Sequence, residues 1–334
     1  MTASLHVPAE RSPAADVPAY AEPGLTRQGA VGPLNGELAR HDLAAGTVVV
    51  QAPGSGPGWW AGAPSALLVD GTYWLAYRLR RPVGRGRGYA NVVARSADGV
   101  TFETVAVLDK ELFGAESLER PALAVPAEGR WRLYVSCATP GTAHWRVDLV
   151  EAASPEHLAT GFVRTVLPGS SQQAVKDPVV VRARGGWHLW ASCHPLTDPA
   201  RTDRMTTEYA TSPDGIAWTW RRRAMAGRPE RWDARGVRVT AVLLDGRWPV
   251  AYYDGRASAA ENWEERTGVA VGGEPFGTFH PLGKHPVGAS PHGSGGLRYL
   301  SVLRLPEGGC RLYYEMTRPD GAHELRTLRV PPGS

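Results

Sequence analysis

Three prolines, Pro64, Pro121 and Pro178, stand 57 residues apart twice over, and each opens the same pattern. Gly62-Ala63-Pro64 leads into an apolar run over 66–69 and then Gly71-Thr72-Tyr73-Trp74-Leu75-Ala76-Tyr77. Glu119-Arg120-Pro121 leads into 122–125 and Gly129-Arg130-Trp131-Arg132-Leu133-Tyr134. Lys176-Asp177-Pro178 leads into 179–181 and Gly185-Gly186-Trp187-His188-Leu189-Trp190. Two further copies drop the proline and keep the rest: 239–244 before Asp245-Gly246-Arg247-Trp248, and 300–305 before Gly308-Gly309-Cys310-Arg311-Leu312-Tyr313. One small sheet cannot cover both of its faces alone, so copies at a fixed period must stack on their neighbours. Five copies predict an all-β chain folded as a five-bladed β-propeller with roughly four strands per blade.

The second hairpin of a blade is legible where Asp-Gly parts two runs, because glycine supplies the positive φ the turn needs. Ser96-Ala97-Asp98-Gly99 separates 91–95 from 101–105, and Ser212-Pro213-Asp214-Gly215 separates 208–211 from 217–220. The fifth copy ends in one more strand, 323–330, so its outer strand must come from elsewhere, and 47–51 is placed to supply it. Residues 37–334 then form a single propeller domain behind a flexible leader over 1–36, rich in Ala, Pro and Gly. That leader lacks the apolar core of a signal peptide, and the sequence holds no apolar run of about 18 residues, which predicts a cytoplasmic protein with no membrane span.

With 12 tryptophans and 43% apolar residues, 334 residues can bury a large core in one unit. The net charge of +4 comes from arginines spread among acids, a mixed surface rather than a nucleic-acid face. Three cysteines without paired close spacing exclude a disulfide scaffold and a structural zinc site. Cys137 and Cys193 each follow a tryptophan, Trp131 and Trp187, by six residues, a repeat position that reads as core. No cluster has metal-ligand spacing, so neither metal nor cofactor is expected.

In a propeller the first strand of each blade lines a central channel. Aligned on their glycine turns, the copies place Ala63, Arg120, Asp177, Arg238 and Arg298 at one level, preceded by Gly62, Glu119, Lys176, Val237 and Leu297. Alternation along a strand lets each blade aim one member of each pair straight inward. Charges from sequence-distant places still meet in one cleft, where they cost several kcal/mol unless paired or used. Asp254, in Tyr252-Tyr253-Asp254-Gly255-Arg256, and His292, in a Gly- and Ser-rich lead-in, are further candidates. His292 reads either as a phosphate ligand or acid–base group, or as a hydrogen-bonded structural histidine. Trp59 and Trp60 offer a stacking platform for a sugar ring, or else a plug and a packing residue. The basic loop 80–88 reads as an anion clamp or, more simply, as a hairpin tip.

The proline-marked strand openings, the Ser-x-Asp-Gly hairpins, the Tyr-Tyr-Asp-Gly-Arg stretch and Thr267-Gly268-Val269-Ala270-Val271 together resemble the five-bladed propeller glycoside hydrolases and phosphorylases around the arabinanases, xylosidases, invertases and mannoside phosphorylases. The resemblance spans about 55–330 at the level of architecture. It implies an acid from each of the first three blades, as base or nucleophile, positioning group and proton donor. Here Glu119 and Asp177 remain, but the first blade reads Trp60-Ala61-Gly62-Ala63-Pro64 and has no carboxylate. Glycoside hydrolysis takes two carboxyl groups. Asp177 as the charged partner beside Lys176 and Glu119 as the acid would meet that need; Asp254 or an acid near Asp203 or Glu261 is another way. Arg120, Arg238 and Arg298 with Lys176 and His292 suit phosphate or carboxylate, which guanidinium binds in a fork.

These readings predict a carbohydrate-active enzyme that cleaves or transfers a glycosyl group on a small, anionic or sugar-like substrate. A non-hydrolytic cyclase, isomerase or lyase built on the same fold, and a non-catalytic sugar-binding propeller, are the alternatives.

Overall fold

The computed structural model describes residues 41–332 apart from 126–128, 184, 245–247 and 275; the leader expected over 1–36 lies outside them. The described chain is all-β, with 20 strands in sheets of four. After β1 (Thr47–Val50), the first blade is β2 (Trp60–Val69), β3 (Thr72–Arg80), β4 (Gly88–Ser96) and β5 (Glu103–Asp109). The second is β6 (Leu118–Ala124), β7 (Trp131–Ala138), β8 (Trp145–Ala152) and β9 (Phe162–Leu167). The third is β10 (Gln173–Ala183), β11 (Gly186–Pro195), β12 (Thr206–Ser212) and β13 (Thr219–Met225). The fourth is β14 (Gly236–Leu243), β15 (Val250–Arg256), β16 (Arg266–Gly273) and β17 (Thr278–Pro281). The last is β18 (Leu297–Arg304), β19 (Cys310–Thr317) and β20 (His323–Val330), with β1 as its fourth strand.

The pairing of β1 with β20 is antiparallel, Thr47 facing Thr327, Val48 facing Arg326 and Val50 facing Leu325, as expected for a fifth blade completed from the start of the chain. Arg326 Nη1 also donates to the carbonyls of Ala44 and Gly46, which ties the lead-in down. A single parallel bridge, Trp60 to His323, joins the fifth blade to the first. Starting the chain at Ala52 would strip β1 and leave β20 as a bare edge, an open template for pairing. Such a truncation is expected to melt well below the full chain and to aggregate on heating; an unaltered melting curve would show that β1 carries no stability.

Apolar clusters lie between successive blades. Trp74 and Leu108 of the first pack with Leu133 and Val150 of the second, and Leu75, Tyr77 and Val92 pack with Tyr313 and Leu325 of the fifth. Cys137, Cys193 and Cys310 are buried in such clusters, and burial pushes the Cys137 and Cys193 thiols up, so the repeat-position cysteines are packing residues. The Ser-x-Asp-Gly turns close locally and then lock neighbours. Ser96 Oγ accepts from Gly99 N at 2.9 Å, Gly99 has φ of 72°, and its carbonyl accepts from Tyr313 Oη at 2.9 Å. Gly215 repeats the arrangement with Tyr134.

Each inner strand carries a bulge. Register is interrupted between Gly62 and Ser65, Leu118 and Pro121, Lys176 and Val179, Val239 and Ala241, and Arg298 and Ser301. The prolines of the repeat therefore have a physical reason: proline has no N–H for the ladder and is tolerated in a sheet where pairing lapses. Ala63, Asp177 and Tyr299 all sit in left-handed backbone at these bulges, with φ of 54°, 54° and 56°. This corrects two expectations. Tyr299, rather than Arg298, stands at the level of Ala63 and Asp177. The bulge also breaks alternation, so both members of a pair turn inward: Glu119 and Arg120 are both buried, as are Arg298 and Tyr299.

Candidate functional site

The bulges collect charges from all five blades into one buried chain of ion pairs. Arg78 of β3 bonds Glu119 of β6, and its Nη2 donates to Glu315 Oε2 of β19 at 2.8 Å. Arg298 Nε donates to Glu315 Oε1 at 2.8 Å, and its Nη1 to Glu265 Oε2 at 2.9 Å. Glu265 also bonds Arg256 and lies 3.8 Å from Arg238. Arg238 Nη1 reaches Asp177 Oδ2 at 3.1 Å and its Nη2 reaches Asp254 Oδ2 at 2.6 Å. Lys176 Nζ stands 3.9 Å from Asp177, and its charge also acts on Glu119. Signs alternate along the chain, which is the condition for keeping this many charges out of water.

The Tyr299 ring lies inside the chain of pairs. Arg238 stacks 3.8 Å from its centroid, with Arg298 at 5.3 Å and Arg78 at 5.6 Å. Its N–H donates to Asp254 and its hydroxyl lies 3.4 Å from Asp177 Oδ2. Asp177 is fully buried by these partners. Arg238 and Asp254 are bound to protein groups, and Arg298 pairs with Glu265 and Glu315, so all three hold the hub together.

The carboxylate missing from the first blade is replaced in space by one from the fifth. Glu315 Oε2 accepts from Ala63 N at 3.0 Å, and a Cβ on Gly62 would lie 2.1 Å from that same oxygen. The bare Gly62-Ala63 opening thus makes room for Glu315. Glu315 in turn receives His323 Nδ1 at 2.7 Å, while His323 Nε2 meets Glu264 Oε1 at 3.0 Å.

Beside this relay opens a pocket of about 220 Å³ lined by Trp60, Arg80, Asn262, Trp263, Glu264 and His323, among others. Trp60 is no platform: Arg80 lies 3.9 Å from its centroid, His323 stacks on it at 4.7 Å, and Arg298 is 4.7 Å away. Trp59 is absent from the lining. The aromatic face open to a ligand is Trp263, 44% exposed, in the acidic loop between β15 and β16. Arg80, expected in the basic loop 80–88 read as an anion clamp or a hairpin tip, instead ends β3 and is buried, 3.6 Å from Glu119. Burial outweighs that partner and lowers its guanidinium to about 10, still a cation at neutral pH. Lys176, its side chain 15% exposed, lies 4.8 Å from the Trp145 ring on the same hub. His292 bonds through its backbone to Ser290 and Gly295 and does not line this pocket. Arg120 turns to a different cavity, described below.

Burial raises the Glu119 carboxyl, but Arg78, Lys176 and Arg80 outweigh it and hold the group well below the usual range, so it is a carboxylate and not the proton donor expected of it. Glu265 and Glu315 are depressed in the same way by their arginines. Asp254 goes the other way, raised by burial to about 6. A depressed carboxyl gives stability that is complete above its unfolded pKa and lost as pH falls toward its folded value. Asp254 takes up its proton first in the folded state and opposes that loss between pH about 6 and 4. The melting temperature is therefore expected to hold from pH 8 to about 5 and to collapse below about 4.3, where unfolded glutamates protonate. A steep fall already at pH 6 would contradict this charge assignment.

Among the described residues no group of His, Cys, Asp and Glu is arranged to hold a metal ion, and no helix is long and apolar enough to cross a membrane.

No protein-family model and no curated protein matches this chain. Among solved structures, a thermostable family-43 glycoside hydrolase aligns with TM-score 0.66 at 14% identity over 85% of this chain and 92% of its own. An α-L-arabinofuranosidase from Lactobacillus brevis aligns with TM-score 0.60 at 15% identity over 80% and 90%. A structure from work on the GH130 family of mannoside phosphorylases, which contains glycoside hydrolases that target β-1,2 mannosidic linkages in Candida mannan, aligns with TM-score 0.59 at 16% identity over 85% and 87%. At these identities the likeness is one of fold: the chain has the fold of glycoside hydrolases.

Proposed function

We propose that the five sheets close into a five-bladed propeller, and that the protein is a carbohydrate-active enzyme that cleaves or transfers a glycosyl group on a small anionic substrate in the Arg80–Trp263 pocket. The observation that carries this reading is an under-paired, buried guanidinium, Arg80, in the same pocket as an exposed tryptophan and beside the carboxylates Glu119 and Glu264. Trp263 stacks on the sugar face and Arg80 takes the anionic group. Glu119 supplies the ionised carboxylate, while Asp177 and Asp254 act through Arg238 and Tyr299 as positioning residues. The fold shared with glycoside hydrolases and with the GH130 structure supports the substrate class. The test is a panel of aryl glycosides, neutral sugars beside their uronides, with and without inorganic phosphate. Turnover is expected among the anionic members, with Trp263→Ala raising KM about three- to tenfold and leaving kcat nearly unchanged. Binding of the panel without turnover of any member would replace this reading with a sugar-binding module.

One observation favours a second reading. Glu119, Glu264, Glu265 and Glu315 are all depressed by Arg, Lys or His neighbours, which leaves the mouth short of the protonated carboxyl that ordinary hydrolysis needs. On this reading the enzyme is a non-hydrolytic lyase, cyclase or isomerase: Arg80 neutralises a substrate carboxylate and Glu119 takes the adjacent proton. An unsaturated, ultraviolet-absorbing product in place of a free reducing sugar would select the lyase.

A further inference from the structure

Arg120 points away from the mouth. The mouth pocket takes Trp60, which precedes the bulge of its inner strand, whereas a second cavity of about 280 Å³ is lined by residues that follow the bulges, such as Ser65, Leu123, Val179, Ala241 and Ser301. The two share no lining residue. Arg120 enters the second cavity with its side chain almost wholly buried, the residue being 3% exposed. Its Nη2 donates to the carbonyls of Thr240 at 2.6 Å and Pro64 at 3.3 Å, which fixes the plane of the guanidinium across the channel. Nε and Nη1 have no hydrogen-bond partner.

A buried cation with two idle donors is costly. Asp177 and Asp254, the carboxylates whose charge reaches it, are already bound by Arg238 and the Tyr299 backbone, and burial without a paired acid lowers Arg120 to about 10. Among the described residues no Asp or Glu lines the cavity, while Arg182 does. Ser65 Oγ accepts from Leu123 N at 3.0 Å and Ser301 Oγ from Ala66 N at 3.3 Å, so each hydroxyl retains its proton to donate.

We propose that this cavity is an anion site, distinct from the mouth, in which the Arg120 guanidinium edge and the Ser65 and Ser301 hydroxyls hold a small oxyanion the size of inorganic phosphate. The two carbonyls that clamp Arg120 come from the first and fourth blades, so the bound anion completes a contact across the channel and stabilises the fold as well.

Calorimetric titration of the full chain with inorganic phosphate, in a buffer free of other oxyanions, tests it directly. A binding event that survives Arg80→Met is expected, with a melting temperature that rises with the logarithm of phosphate concentration. Arg120→Met should weaken binding about ten- to a hundredfold, the worth of a charge-assisted hydrogen-bond pair, and the Ser65→Ala/Ser301→Ala double variant about three- to tenfold. Arg80→Met, in the mouth pocket, should leave this binding unchanged. Should Arg120→Met fail to fold, the serine pair carries the test. Absence of phosphate binding in the wild type, a serine double variant that binds like wild type, or binding lost through Arg80→Met would each overturn the proposal.

Discussion

Glu315→Gln is expected to cost about 3–5 kcal/mol of stability, the penalty for removing one partner from a buried ion-pair network. Its carboxylate is the meeting point of Arg78, Arg298, His323 and the Ala63 N–H, and it is fully buried. The amide keeps the shape but loses the charge, and its NH2 faces guanidiniums that donate and cannot accept. Arg78 retains Glu119, and Arg298 retains Glu265, so the hub is not dismantled, but one positive charge near the Tyr299 ring is left without balance. For a domain of this size the loss corresponds to a fall in melting temperature of about 10 °C. The contrasting control is Glu307→Gln. Glu307 pairs with Arg329 where both side chains are about half exposed, and such surface pairs are worth about 0–1 kcal/mol. Equal melting shifts for the two variants would mean that the Glu315 cluster is wet and that the replacement of the first-blade acid by Glu315 is incidental.

Glu119→Gln is expected to lower kcat by about 10²–10⁴-fold, the range of a lost general base. Glu119 is the hub carboxylate placed between the buried arginines and Arg80 of the mouth, and Arg78, Arg80 and Lys176 hold it ionised. A purely structural role would lower the melting temperature and leave the rate of the folded fraction intact. A role in proton transfer lowers kcat of the folded fraction as well, the folded fraction being read from the melting curve of the same sample. The pair of readouts separates the two.

The repeat, the completion of the fifth blade by 47–51 and the convergence of Glu119, Asp177, Arg238 and Asp254 are legible in the sequence, because a glycine turn after each inner strand sets a common register. Side-chain direction is not. Alternation allows one inward residue from each lead-in pair, and only the bulges marked by Pro64, Pro121 and Pro178 let Glu119 and Arg120 both turn in while sending Arg120 to the far cavity. Arg78 and Glu315 were readable by extending the same alignment one strand further. Arg78, Ser136, Ser192, Asp254 and Glu315 each lie three residues after Leu75, Leu133, Leu189, Ala251 and Leu312. They stand on the second strand of each blade, beside or opposite the bulge of the first. Trp263 was hidden for another reason. It sits in a loop with φ of 74°, and a left-handed tryptophan is held by surroundings that no local pattern announces.

The placement of the substrate anion on Arg80 is tested most directly by measuring kcat/KM for wild type and Arg80→Met on one matched pair, a glycoside and its uronide. Selectivity for the uronide should fall about ten- to a hundredfold in the variant, with the neutral glycoside little affected. Equal losses on both substrates, or a wild type that shows no preference for the charged one, would contradict it.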